Sequence, residues 1–180
     1  MTPRIVALSI LALALSPAGL AAQVSADVHT ELTPRVIGAD EGERRNLPDG
    51  RHMLLKVGPE NTGSSYLFLG SEVLPPGASI PRHRHEVDEE ILIVHRGAVT
   101  VELDGTVHHA EEGAVVYLPP RTWVSVRNEG DDSAAVMFVF PRGSVERCFQ
   151  FIGRGDDGER ARPADPGEES RSCQMTYRPG

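Results

Sequence analysis

Between Met53 and Phe140 the chain never sustains a long apolar run. Short apolar or alternating runs recur instead: Met53–Val57, Tyr66–Leu74, Glu90–His95, Val99–Leu103, Val107–Ala110, Ala114–Leu118, Trp123–Arg127 and Ala134–Phe140. Turn-forming residues part them, among them Pro75-Pro76-Gly77, Arg96-Gly97, Asp104-Gly105, Glu112-Gly113, Pro119-Pro120 and residues 128–132. Many short strands at this spacing, each broken by turn chemistry, predict an all-β sandwich or barrel. Asp104-Gly105 is the clearest turn, a two-residue hairpin loop between AVTVEL and TVHHA. That register sets Val101 opposite His108 and Glu102 opposite Val107. Because Val99, Val101 and Leu103 form the apolar face, His108 is expected to point inward with them and His109 outward.

The chain has 180 residues, enough for one domain of ordinary size. Its net charge is −8, and no Lys/Arg cluster forms a basic stripe, so nucleic acid and anionic membrane surfaces are excluded as partners. Residues 1–22 stand apart. A short basic start through Arg4, an apolar stretch over Ile5–Leu15 and then small residues give the order of a secretory signal peptide, with cleavage after Ala22 or as late as Ala26. The apolar stretch is shorter than the roughly 20 residues that span a bilayer. The expected location is therefore periplasmic or extracellular. Only Cys148 and Cys173 are present. In an oxidising compartment they are expected to pair as a disulfide, the alternative being two unrelated thiols.

Residues 23–50 are polar and turn-rich and read as an N-terminal arm with one short strand near Arg35–Ile37. Residues 51–152 form the β domain, and 153–180 a polar C-terminal tail. Within the tail, 154–172 lacks large apolar residues and reads as a loop. Cys173, Met175 and Tyr177 then offer enough apolar surface to dock the end of the chain back on the domain.

The chemistry concentrates in residues 77–97, GASIPRHRHEVDEEILIVHRG. Gly77, His83, His85, Glu90 and Gly97 fall at the spacing of the first conserved motif of the cupins, and the stretch resembles that motif at every position. The resemblance extends in pattern across roughly residues 53–140, and it implies a small jelly-roll β-barrel. Residues i and i+2 of a strand share a face, so His83 and His85 aim the same way. By resemblance, Glu90 from the next strand completes a set of metal ligands. Two imidazoles and one carboxylate suit Fe(II), and a mixed N/O set also admits Mn, Zn, Ni or Cu. Without its flanks, HRHEVDEE reads first as a solvated charged loop; the flanking pattern reverses that.

The second cupin motif is only partly present. In GAVVYLPPRTWVSVRN, residues 113–128, Gly113, Pro119 and Asn128 fit. Arg121 stands where the family has Gly, and Val124 where it has the His that supplies a fourth ligand. Position 124 is thus vacant as a ligand. Three outcomes stay open: a three-ligand metal site with an additional open position, compensation by another side chain such as His108, or weak or absent metal. His108, Trp123 and Tyr117 are candidate pocket-lining residues. No residue is assigned as catalytic, since nothing singles out Glu86 or Glu89 as a base. The resemblance implies a metal-binding protein, which the N-terminus marks as exported, with oxygenase chemistry of the dioxygenase kind foremost and lyase or isomerase chemistry also compatible. The alternative is a non-catalytic module that binds a sugar or phenolic compound. A small-molecule ligand or substrate is the expected partner, and a homodimer the assembly that the family suggests.

Overall fold

The structure is a computed structural model that describes residues 32, 34–141, 144–159 and 175–177. Residues 1–22, expected to form a signal peptide, Cys173 and nearly all of 160–180 lie outside the described residues. Two antiparallel sheets face each other. The first contains β1 (Glu43–Asn46), β2 (His52–Val57), β3 (Leu67–Leu74), β10 (Ala134–Pro141), β5 (Glu90–Arg96) and β8 (Val115–Leu118), paired in that order. The second contains β11 (Met175–Tyr177), β4 (Ser79–His85), β9 (Val124–Arg127), β6 (Ala98–Leu103) and β7 (Thr106–Glu111). This is the all-β jelly-roll arrangement that the strand pattern predicts, built as a sandwich of two sheets without a ladder closing them edge to edge. Two helices, α1 (Pro59–Thr62) and α2 (Ser144–Phe151), interrupt the strand order. No helix among the described residues is long and apolar enough to cross a membrane.

Alternation decides which faces are buried. In β3, Phe68, Glu72 and Leu74 point to the core while their neighbours do not, and in β10, Ala134, Val136, Phe138 and Phe140 do the same. Register aligns these rows: Phe68 faces Phe140, Gly70 faces Phe138 and Glu72 faces Val136. A side chain at Gly70 would collide with the Phe138 ring, so the close approach of β3 and β10 requires glycine there. Phe149 of α2 joins the cluster, its ring stacked 4.7 Å from that of Phe138 and 5.3 Å from that of Phe68. Burying an aromatic side chain of this size contributes roughly 1.5–3 kcal/mol. Asn128, 1% exposed, closes the other end: its amide donates to the carbonyls of Leu74 (2.9 Å) and Asp132 (2.8 Å), and its Oδ1 accepts from the Gly130 N–H.

Two local expectations are corrected. Residues 35–37 do not form a strand; the arm's strand is Glu43–Asn46, which pairs with β2. The reason lies in Lys56, whose ammonium donates to the carbonyls of Gly38, Ala39 and Glu41, all within 2.8 Å. Those carbonyls turn the chain toward the lysine instead of along a neighbouring strand. The second difference is α2, which sequence patterning passed over. Val145, Cys148 and Phe149 recur at helical spacing and are all buried.

Candidate metal centre and its pocket

β4 carries His83 and His85 on one face because they are two residues apart, and the register of β5 brings Glu90 to the same interior. All three are buried, and one candidate ligand atom from each lies within 4.8 Å of the others. Donors about 2 Å from a shared ion lie within about 4 Å of each other, so small side-chain rotations close the set.

The polar atoms say more than the distances. His83 Nδ1 lies 2.8 Å from the Pro81 carbonyl oxygen. If that nitrogen carries the proton, Nε2 keeps its lone pair for a ligand bond, the usual second-sphere arrangement of a metal-binding histidine. Burial holds the His83 imidazole below its ordinary value, so the ring stays neutral as a ligand must. His85 Nε2 and Glu90 Oε2 are 3.2 Å apart, yet neither finds a hydrogen-bond partner, and His85 Nδ1 has none either. Proximity without hydrogen-bond alignment fits two atoms that converge on a third body better than two that bond each other. Buried polar atoms without partners are costly unless something binds them. Two imidazoles and a carboxylate are the donors a divalent transition metal takes.

The three candidate ligands face a cavity of about 130 Å³. Met53, Ile80, Leu92, Phe138 and Phe149 make its walls largely apolar. β11 closes one side, pairing Tyr177 with His83 and Met175 with His85, and the Tyr177 ring lies 5.9 Å from that of His83. Arg51 and Glu72 complete the lining. Arg51 Nη1 donates to Glu72 at 2.9 Å and its Nε to Asp49 at 2.7 Å. Burial pushes the Glu72 carboxyl up to about 7, although the Arg51 charge pulls the other way. Sequence reasoning missed both residues, since no spacing rule links positions 51 and 72.

Val124 pairs with His83 across β9 and β4 and is 1% exposed, an apolar side chain packed into the core at the family's fourth-ligand position. The candidate lining residues are corrected. His108 pairs with Val101 as the hairpin register requires, but β7 is the sheet's edge strand, only its Ala110 is buried, and His108 is exposed. Inward parity does not bury a side chain where no opposing strand covers it. Trp123 lies on the outer side of β4, its ring 4.6 Å and 4.9 Å from the guanidinium carbons of Arg82 and Arg84, which alternate with the inward histidines. Tyr117 also points out; it is 55% exposed and its hydroxyl donates to Glu89 at 3.0 Å. None of the three lines the cavity. Neither do Glu86, bonded to Arg84 and Thr176, and Glu89.

Residues 70–140 match the family model for the cupin domain. The protein SchB of Streptomyces halstedii is 32% identical over 111 residues, 61% of this chain and 78% of SchB. The chain belongs to the cupin superfamily. The polyketide synthase CurC of Streptomyces cyaneus is 30% identical over 110 residues, 60% of this chain and 70% of CurC. Among solved structures, a cupin-superfamily sugar phosphate isomerase from Silicibacter pomeroyi is 26% identical with a TM-score of 0.54, covering 61% of this chain and 77% of the isomerase. KdgF from a Halomonas species has a TM-score of 0.53 at 22% identity, covering 62% and 96% of the two chains, and shares the fold. This cupin therefore combines the family's first motif, folded into a buried His-His-Glu group, with a second motif whose ligand position is valine.

Proposed function

We propose that this cupin is an exported metal-dependent enzyme that acts on a small, oxygen-bearing molecule, with chemistry of the dioxygenase kind. The observation that carries the reading is the set of unpartnered buried atoms on His85 and Glu90, which converge beside His83 on an apolar pocket. His83, His85 and Glu90 would hold one divalent transition metal: Fe, Mn, Zn, Ni or Cu. When bound, such a metal supplies Lewis acidity or oxygen activation. The protein's own contribution is to position and to exclude water. Pro81 fixes the tautomer of His83, the Phe138 and Phe149 rings form a dry wall, and β11 covers the histidines. With three protein ligands instead of four, more of the metal's sphere is left to substrate and solvent.

The apolar lining favours a phenolic or polyketide-like molecule over a sugar phosphate, and the similarity to the polyketide synthase CurC points the same way. In this reading residues 1–22 are removed on export to the periplasm or beyond, and the mature protein assembles as a homodimer, as many cupins do. Cell fractionation and sedimentation velocity test those two parts. A second reading, a non-catalytic module for a phenolic compound or sugar, is favoured by Val124 alone.

The deciding experiment is the metal content of the mature protein, purified without a metal-binding tag and read by elemental mass spectrometry. His83→Ala and Glu90→Ala variants are run beside it. Near-stoichiometric metal in the parent, lost in both variants, is expected. Metal-free protein after reconstitution under reducing conditions would sink the metal centre and leave the binding module. Oxygen consumption with phenolic and polyketide-type compounds then separates enzyme from metal-bearing binder.

A further inference from the structure

Arg51 and Glu72 play no part in the metal centre, yet both sit on the wall of the same cavity. Their placement follows from the first sheet. Met53 of β2 pairs with Glu72 of β3, so Arg51, two residues earlier and on the same face, reaches the Glu72 carboxylate. Both are deeply buried, at 8% and 4% exposure. A buried ion pair rarely stabilises a fold better than apolar residues of the same volume would, because desolvating two charges costs about as much as pairing them returns. Stability alone is thus a weak reason to set this pair in an apolar wall.

The way the guanidinium is held gives a stronger reason. Among the described residues that line the cavity, Arg51 is the single Lys or Arg, while Glu72 and Glu90 are acidic. Bonds to Glu72 and Asp49 engage Nη1 and Nε and fix the guanidinium plane. The third nitrogen, Nη2, carries two further N–H donors, which a carboxylate oxygen can accept as charge-assisted hydrogen bonds. The cavity of about 130 Å³ is close to the size of an apolar protein cavity that holds one benzene ring.

We propose that Arg51 and Glu72 form an acid subsite in this pocket, which takes a one-ring carboxylic acid as its carboxylate on Arg51 while Glu72 holds a proton. The proposal rests on the reading of this cavity as the substrate pocket and names its substrate class. The proton is needed because a carboxylate on Arg51 would lie against an ionised Glu72; with Glu72 protonated, that clash becomes a hydrogen-bond donor beside an anion. Burial already prepares Glu72 for this, holding its carboxyl up near 7. The groups that act on it are Arg51 and Asp49 from the chain before β2 and Glu90 from β5. Tyr177 of β11 feels Glu72 and Arg51, His83 of β4 feels Arg51, and the β10 residue paired with Glu72 is the uncharged Val136. Above that range the incoming anion must bring one proton from solvent onto Glu72; below it, the proton is already there.

The test uses chelator-treated, metal-free full-length protein, with benzoate as probe and benzamide as the neutral isostere, titrated by calorimetry between pH 6 and 8.5. Benzoate is expected to bind more tightly than benzamide. Its affinity should hold steady up to about pH 7 and fall by about tenfold per pH unit above it. Arg51→Lys keeps the charge but loses the fixed Nη2 donors, and should weaken benzoate by about tenfold without changing benzamide. Glu72→Gln, which keeps the shape, should make benzoate affinity independent of pH. Circular dichroism confirms that both variants are folded. The proposal is overturned if benzoate binds no better than benzamide, if Arg51→Lys affects both probes alike, or if Glu72→Gln retains the pH dependence. Because no metal is present, a negative result leaves the metal centre standing, and a failed metal measurement leaves this result standing.

Discussion

At the scale of single residues, position 121 carries the clearest trace of the second motif. Arg121 adopts φ 69°, a left-handed conformation that glycine takes freely and a residue with a Cβ takes at a cost. The backbone has kept the turn while the sequence has lost the glycine. The turn persists because the Arg121 N–H donates to the His85 carbonyl at 2.6 Å, tying the loop to the end of the strand that carries both histidines. The side chain offers little in return: it is largely exposed and reaches Glu86 only at 3.9 Å. An exposed ion pair at that distance contributes little. Arg121→Gly is therefore expected to raise stability by about 1 kcal/mol, which chemical denaturation of the metal-free protein would detect. Unchanged or lower stability would mean that the arginine contributes more to the loop than its contacts indicate. Val124 makes the contrasting case. Its departure from the motif leaves no such strain, because a buried valine at the start of β9 suits both the strand and the core.

At the scale of elements, what was legible depended on periodicity. The eight strand runs between Met53 and Phe140 all lie on observed strands, because alternation over four to eight residues is a signal that a half-buried sheet imposes. Parity also put His83 and His85 on one face, whereas Glu90 was assigned by its place in the motif that the stretch resembles. Parity could not foresee His108, because exposure at a sheet edge depends on which strand lies opposite. β1 is the wholly polar ERRN and β11 is three residues long, so neither carries an apolar period, and both are recruited from segments that read as arm and tail. Yet β11 and α2 supply much of the pocket wall, through Met175, Tyr177, Phe149 and, just past the helix, Ile152. Cys148, 1% exposed, lies in α2, and Cys173 precedes β11 by two residues, outside the described residues. A Cys148–Cys173 disulfide, as proposed for an exported protein, would tie these two walls together. Closing a loop of about 25 residues stabilises by on the order of 3 kcal/mol in the chain-entropy model. Cys173→Ser is expected to lower stability by about that amount, and alkylation of the unreduced parent should find no free thiol by mass spectrometry. Two alkylated cysteines in protein isolated from an oxidising compartment would remove the disulfide from the account.

At the scale of the whole molecule, the buried titratable groups pull stability in opposite directions with pH. Glu72 and Glu146 are both raised by burial from an ordinary 4.5 to about 7. Each is held neutral more readily folded than unfolded, so the folded protein binds more protons over that range. Their contribution is fully present below pH 4.5 and is lost as pH rises toward 7. His83 behaves in the opposite sense. Burial lowers it from 6.5, so its contribution is present above that value and is lost as pH falls. Glu41, exposed, and Glu86, half-buried, are lowered by their hydrogen bonds and add to that second trend only weakly. The parent curve of metal-free protein mixes these slopes, so the informative quantity is the difference between parent and Glu72→Gln. Glutamine cannot ionise, and the variant should gain on the parent steadily between pH 4.5 and 7, by on the order of 1–3 kcal/mol over the window. Urea unfolding at half-unit pH steps reads it directly. A constant difference across the window would mean that Arg51 keeps Glu72 ionised throughout. The same carboxylate would then enter the pocket as a fixed negative charge, repelling an acid where a protonated Glu72 would admit one.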